Sequence, residues 1–222
     1  MATKAGAGGN RSMGWSGADR LSAVRHLQRQ DAILRTVIKK AGPLKLRSAG
    51  RGYPVLVQSI ISQQISTAAA ATIGQRLRLL AAGGELNAEV VAQLSDQQLQ
   101  TAGVSPQKLS YLRDLTRCTL EGVINFRRIA RATDEAAIAE LVQVRGIGRW
   151  TAQMYLIFSL ERPDVFAPDD LGLRNAMQRL YGLPQQTSRV ELERMSEQWR
   201  PWRSAASWYL WRSLEQSQNA DH

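Results

Sequence analysis

"VRGIGRWTA", residues 144–152, decides how this chain is read. Residues 134–142 before it carry helix-forming sequence, with apolar positions at Ile138, Leu141 and Val142. The stretch "RWTAQMYLIFSL" after it is apolar enough to be buried. Gly146 and Gly148 break the run for two turns of backbone that only glycine adopts without strain. The pattern predicts helix, tight turn, helix. The second helix then begins where unpaired N–H groups and the positive end of the helix dipole point outward. Such an end binds anions, phosphate above all. Arg145 and Arg149 flank the turn and add charge, and a contact of this kind grips backbone rather than base sequence. The same residues also suit a plain αα-turn closed by glycine.

Outward from the hairpin, the helical pattern continues in both directions. Apolar residues recur at three- and four-residue steps from Arg20 onward. Gly42-Pro43 closes that segment, and Pro54 sits in the first turn of the next. "SQQIS", residues 62–66, interrupts it, with Ser66 placed to cap a new helix. Ser95 with Gln98 and Ser188 with Glu191 have capping-box spacing. Ser105-Pro106 opens one helix, Thr133 caps another, and Leu171 to Tyr181 is a helix closed by Gly182. No strand-like alternation persists. The expectation is an all-α protein of about ten helices in two lobes with a cleft between them. Residues 1–18 read as a disordered basic tail, 19–214 as the helical domain and 215–222 as a second tail.

Composition bounds the chemistry. The chain has 222 residues, a formal net charge of +10 and a pI near 10.4. That balance favours a polyanionic partner, although Arg is spread along the chain and solubility alone would also use it. No apolar run reaches the ~20 residues needed to span a bilayer, and the N-terminal residues lack the apolar core of a secretory signal. A cytoplasmic, nucleoid-associated location is expected. Cys118 is the only cysteine and the histidines are His26 and His222. This excludes an internal disulfide, a cysteine zinc site and an iron–sulfur cluster.

"GIGRWTA", "DVFAPDDLGLR", "RPWRSAASWYLW" and "AGVSPQKLSYLRDL" occur in this chain in an order that resembles the helix–hairpin–helix DNA glycosylase superfamily, and within it the AlkA-type alkylated-purine glycosylases. The resemblance runs from about Leu21 to Leu214. It implies a monofunctional enzyme of base excision repair. Such an enzyme flips 3-methyladenine or 7-methylguanine out of double-stranded DNA and hydrolyses the N-glycosidic bond. It would work as a monomer and without a catalytic cofactor. The resemblance assigns catalysis to Asp170, whose charge would stabilise the oxocarbenium-like sugar and orient water. Asp169 and Asp170 open a helix, so on the residues alone one caps it and the other faces the cleft. Trp150 and Trp211 fall at stacking positions of the base pocket, and Met154 and Leu171 at positions where aromatic residues are common in the family. Trp199, Trp202 and Trp208 read as core. Gln64, with Gln63 beside it, falls at the wedge that fills the vacated stack; the AlkA pattern has leucine there. The phosphate-binding hairpin is Arg145, Gly146, Ile147, Gly148, Arg149 and Thr151. The resemblance further implies a structural Na⁺ or Mg²⁺ held by the carbonyls of Val142, Val144 and Gly146. A bifunctional relative carries a lysine two residues after the hairpin's second glycine. Here that residue is Trp150, and no lysine follows Lys108.

Overall fold

The computed structural model describes residues 14–81 and 85–218, the side chains of 216–218 excepted, and among them it contains helices and no strand. Thirteen α-helices follow in order: α1 (Gly17–Gln30), α2 (Ala32–Ala41), α3 (Tyr53–Ser62), α4 (Thr67–Leu80), α5 (Ala88–Gln93), α6 (Asp96–Thr101), α7 (Pro106–Leu120), α8 (Phe126–Arg131), α9 (Asp134–Leu141), α10 (Arg149–Phe158), α11 (Leu171–Tyr181), α12 (Arg189–Ser196) and α13 (Arg203–Gln218). A 3₁₀ turn, Glu197–Trp199, lies between the last two.

Caps explain most of the boundaries. Ser95 and Gln98 form the expected capping box at α6, and Ser66, Ser105, Thr133 and Ser188 each accept an N–H of the helix they precede. A side-chain oxygen at this position satisfies a donor that the helix itself leaves unpaired. Gly182 ends α11 in the left-handed conformation. Asn87 and Asn125 cap two six-residue helices, α5 and α8, too short to show a periodic pattern.

Two groups of helices pack separately. In one, α3 packs on α4, α7 and α10, while α5 and α6 cover α7 and α8 covers α9. In the other, α1 and α2 pack with α11, α12, the 3₁₀ turn and α13. The second lobe therefore joins residues far apart in sequence. Asp31 shows how. It caps α2 through the N–H groups of Ile33 and Leu34, and it also accepts from Tyr181 Oη at 2.5 Å and Trp199 Nε1 at 2.8 Å. Burial, with this carboxylate beside it, pushes the Tyr181 phenol far above its ordinary range.

The N-terminal boundary differs from expectation. Trp15 is buried and packs on Trp202 with ring centroids 5.4 Å apart, and Ser16 and Asp19 form a full capping box for α1. Residues 14–18 thus belong to the folded body; an apolar indole had a partner that the small, polar neighbours concealed. Residues 1–13 lie outside the described part. At the other end α13 runs through 215–218, and residues 219–222 are outside it.

Candidate active site and DNA-binding hairpin

Helices α9 and α10 form the expected hairpin. Gly146 takes φ +84°, a left-handed value, while Gly148 is extended and serves as N-cap of α10 with no side-chain cap. Ile147 and Thr151 are buried beneath the turn, and Arg145 and Gly148 are exposed. The first N–H groups of α10 therefore face outward uncapped, as an anion site requires. A Cβ on Gly146 would land within the ring of Tyr111, so glycine is needed there for close approach as well as for φ.

One face of α7 braces this turn. Lys108, Tyr111 and Asp114 lie three residues apart along it. Tyr111 packs on Gly146, with the Arg145 guanidinium 5.9 Å from its ring centre. Asp114 accepts the Arg145 backbone N–H at 2.8 Å, a bond that together with Arg117 holds its carboxyl below the usual range. Lys108 is buried and donates Nζ to the Ile61 carbonyl at 2.7 Å, at the end of α3, and burial lowers its pKa. The turn after α3 carries Gln63 and Gln64. Gln64 is exposed with φ +55°, a value uncommon without glycine. Gln63 donates its amide to the Gly146 carbonyl at 2.8 Å. The proposed wedge and the hairpin are thus joined directly and share a strut. No local pattern marks this coupling, because its partners lie 83 residues apart.

Arg149 departs from its expected place beside the phosphates. Its guanidinium makes two bonds to Glu135, at 2.9 and 2.5 Å, and that pairing lowers the Glu135 carboxyl. The first-turn acid of α9 lies close enough to capture it, which leaves Arg145 as the flanking cation pointing to solvent. Two of the three carbonyls expected to hold a cation accept hydrogen bonds. The Gly146 carbonyl already accepts Gln63, and the Val144 carbonyl accepts the Ile147 N–H at 3.0 Å. Each of these oxygens keeps a second lone pair. Val142 is exposed.

Asp170 is buried at the start of α11 and combines the two roles expected to be divided between the aspartates. Oδ1 caps the helix through Leu173 N at 2.8 Å and also accepts Trp211 Nε1 at 2.8 Å; Oδ2 accepts Trp150 Nε1 at 2.8 Å. Asp169 is exposed and faces Arg189 at 3.3 Å. Trp211 is half-buried and stacks on Phe158. Trp150, 45% exposed, brings the first lobe to Asp170. It also lines a cavity of about 910 Å³ together with Thr151, Met154, Gln63 and Gln64. Leu171, 70% exposed, lies outside that lining. Trp199 is fully buried, and Trp202 and Trp208 are half-buried in aromatic pairs, as packing residues.

Two residues of this site were not anticipated. A Cβ on Gly172 would stand 3.0 Å from Trp211 Cδ1 and 3.1 Å from Asp170 Oδ1, so the missing side chain is what lets the indole reach the carboxylate. Gln153, 3% exposed, donates to the Phe166 carbonyl at 3.0 Å and ties α10 to the loop that leads to Asp170. Glycine in "DDLGLR" beside an aspartate was the available signal for the first; nothing local marks the second.

Residues 57–201 match the family model described as HhH-GPD superfamily base excision DNA repair protein. The chain belongs to the HhH-GPD superfamily. It is 33% identical over 193 residues to DNA-3-methyladenine glycosylase 1 of Schizosaccharomyces pombe, covering 85% of each chain. The fold superposes on a crystal structure of DNA-3-methyladenine glycosidase from Bacillus halodurans with a TM-score of 0.79 at 33% identity, covering 86% of this chain and 88% of the other. It superposes equally well, at 31% identity, on S. pombe Mag1 in complex with abasic DNA, covering 87% and 97%. Among the described residues of this HhH-GPD protein, no group of His, Cys, Asp and Glu side chains is placed to hold a metal ion, and no helix is long and apolar enough to cross a membrane.

Proposed function

We propose that this HhH-GPD protein is a monofunctional DNA glycosylase of base excision repair, acting as a monomer on chromosomal DNA in the cytoplasm. It flips alkylated purines of the 3-methyladenine and 7-methylguanine type out of the duplex and hydrolyses the N-glycosidic bond. The observation that carries this reading is the Asp170 carboxylate. It is fixed by three N–H donors at the junction of the lobes, one of them from an indole that faces the cavity. A carboxylate held in this way stabilises the positive charge that develops on the sugar as the base leaves, and the remaining lone pair on Oδ2 orients water. A base alkylated on a ring nitrogen is cationic, and stacking on the Trp150 or Trp211 face is worth roughly 0.5–2 kcal/mol per contact. Exposed Gln64 enters the vacated stack, and the uncapped start of α10 holds a phosphate.

The lysine inventory supports hydrolysis rather than lyase chemistry. No lysine follows Lys108, and Lys108 is committed to the Ile61 carbonyl beneath the wedge turn. Water is then the nucleophile and the product an intact abasic site. Methylated duplex DNA incubated with the protein should release free methylpurines without strand nicking, and borohydride added during turnover should trap nothing. DNA affinity with no released base would reduce the protein to a binding module. A borohydride-trapped adduct would replace water with an amine.

A further inference from the structure

The net charge of this chain is not carried by the site. Residues 48–222, which contain wedge, hairpin and Asp170, hold nineteen basic and seventeen acidic side chains, a net of +2. Residues 1–47 hold ten basic and two acidic, a net of +8. Arg25, Arg29, Arg35, Lys39, Lys40, Lys45 and Arg47 are all exposed, on α1, α2 and the connector after them. None of the seven enters an ion pair among the described residues, although Arg149, Arg189, Arg200 and Arg203 elsewhere are each paired with acids. The two acids of the segment are engaged, Asp19 in a capping box and Asp31 inside the lobe.

Local stability does not account for this arrangement. Arg25 with Arg29 and Arg35 with Lys39 are like charges four residues apart, which weakens a helix. Only Arg29, in the last turn of α1, and Lys39 and Lys40, in the last turn of α2, gain from the helix dipole. Solubility requires charge but not its segregation onto two consecutive helices and their connector. The stretch also leads somewhere. From Lys45 and Arg47 the connector continues into Ala49, Gly50 and Arg51, which line the cavity that Trp150 and Gln64 share. The cations thus run along α2 and its connector to the place where a flipped base would enter.

Resting on the reading of the protein as a DNA glycosylase, we propose that this surface grips phosphates of the same lesion-bearing duplex, in the flank beyond the footprint of hairpin and wedge. The test is the full-length chain with Lys39→Gln, Lys40→Gln, Lys45→Gln and Arg47→Gln together, none of them in the reaction site. Affinity is titrated with salt on a lesion duplex with long flanks and on a short one confined to the hairpin and wedge. On the long duplex the slope of log affinity against log salt should fall by about 2–4, because each phosphate contact contributes about 0.9. On the short duplex the slope should not change, and turnover at saturating DNA should equal wild type. An unchanged slope on the long duplex overturns the proposal, and so does an equal fall on both. The slopes are read from binding alone, so they hold or fail independently of whether base is released.

Discussion

Asp31 and Asp170 are the same residue in the same local role and serve different ends. Each is buried, each caps a helix, and each accepts indole N–H groups from distant segments. Around Asp31 the indole is Trp199, fully buried, and a phenol completes the shell. Around Asp170 one indole is Trp150, nearly half exposed on a cavity. Capping geometry and burial do not separate the two carboxylates; the exposure of their partners does. Asp31 is sealed by the groups it binds, whereas one of the groups that hold Asp170, Trp150, lines the cavity.

Breaking Asp31 should therefore act on stability alone. Asp31→Ala leaves two helix N–H groups, the Tyr181 hydroxyl and the Trp199 indole without an acceptor. Unmet buried donors cost about 1–3 kcal/mol each, although relaxation and water limit the sum, and a loss of about 3–5 kcal/mol is expected. Denaturant unfolding checks it. Base release per folded molecule, measured at low temperature, should match wild type. A stable Asp31→Ala protein would mean that the two carboxylates are not equivalent in capping.

Asp170→Asn should show the converse. Asn keeps an oxygen for the Leu173 N–H but loses the charge held beside Trp150 at the cavity. Excision should fall on the order of 10²–10³-fold, about 3–4 kcal/mol of transition-state stabilisation, with little change in melting temperature or in affinity for abasic DNA. Single-turnover base release measures the first and calorimetry the second. Activity within a few-fold of wild type would remove Asp170 from the chemistry.

How much of this contrast the residues themselves announce follows from the range of the interactions involved. Ser95 with Gln98, Thr133 before two acids, and Gly182 after α11 are local devices, and their helices lie where the spacing places them. Asp170, Trp150 and Trp211 were recognisable only through resemblance, and they do converge. Asp31 was passed over because its partners are 150 and 168 residues away. Trp15 is hidden for the same reason, since its partner Trp202 lies across the fold and leaves no trace in its neighbours, whereas Arg149 meets Glu135 of the adjacent helix only once the hairpin closes. Gly172 and Gly146 matter for what their absent side chains would strike, which only packing reveals.

The hairpin can be tested separately from both carboxylates. In Gly146→Val the new side chain meets the Tyr111 ring at a φ that branched residues avoid. The turn must shift, and with it the N–H groups aimed at phosphate. Affinity for an abasic-site duplex should fall on the order of tenfold, about 1.4 kcal/mol, as fluorescence anisotropy would show. The melting temperature should respond less than in Asp31→Ala. Unchanged affinity would return the hairpin to a plain helix connection.

The smallest effect should come from the strut that joins wedge to hairpin. Lys108→Met keeps the apolar stem and removes the one donor to the Ile61 carbonyl. A hydrogen bond from a charged donor is worth about 1.5–3 kcal/mol, offset in part by the desolvation of the buried ammonium, so the turn bearing Gln64 should loosen and excision from duplex should drop a few-fold. Excision from single strands needs no wedge and should hold. The same lysine supplies a second readout. Burial lowers its pKa below the ordinary 10.5. Between the lowered value and 10.5 the unfolded chain holds a proton that the folded chain has released. Folding stability contributed by this group therefore rises with pH through that window. The tyrosines titrate alike in both proteins, so the wild-type curve minus the Lys108→Met curve should climb toward alkaline pH. Curves that run parallel, with equal loss of activity on single and double strands, would make Lys108 an ordinary packing residue and leave Gln63 as the sole link between wedge and hairpin.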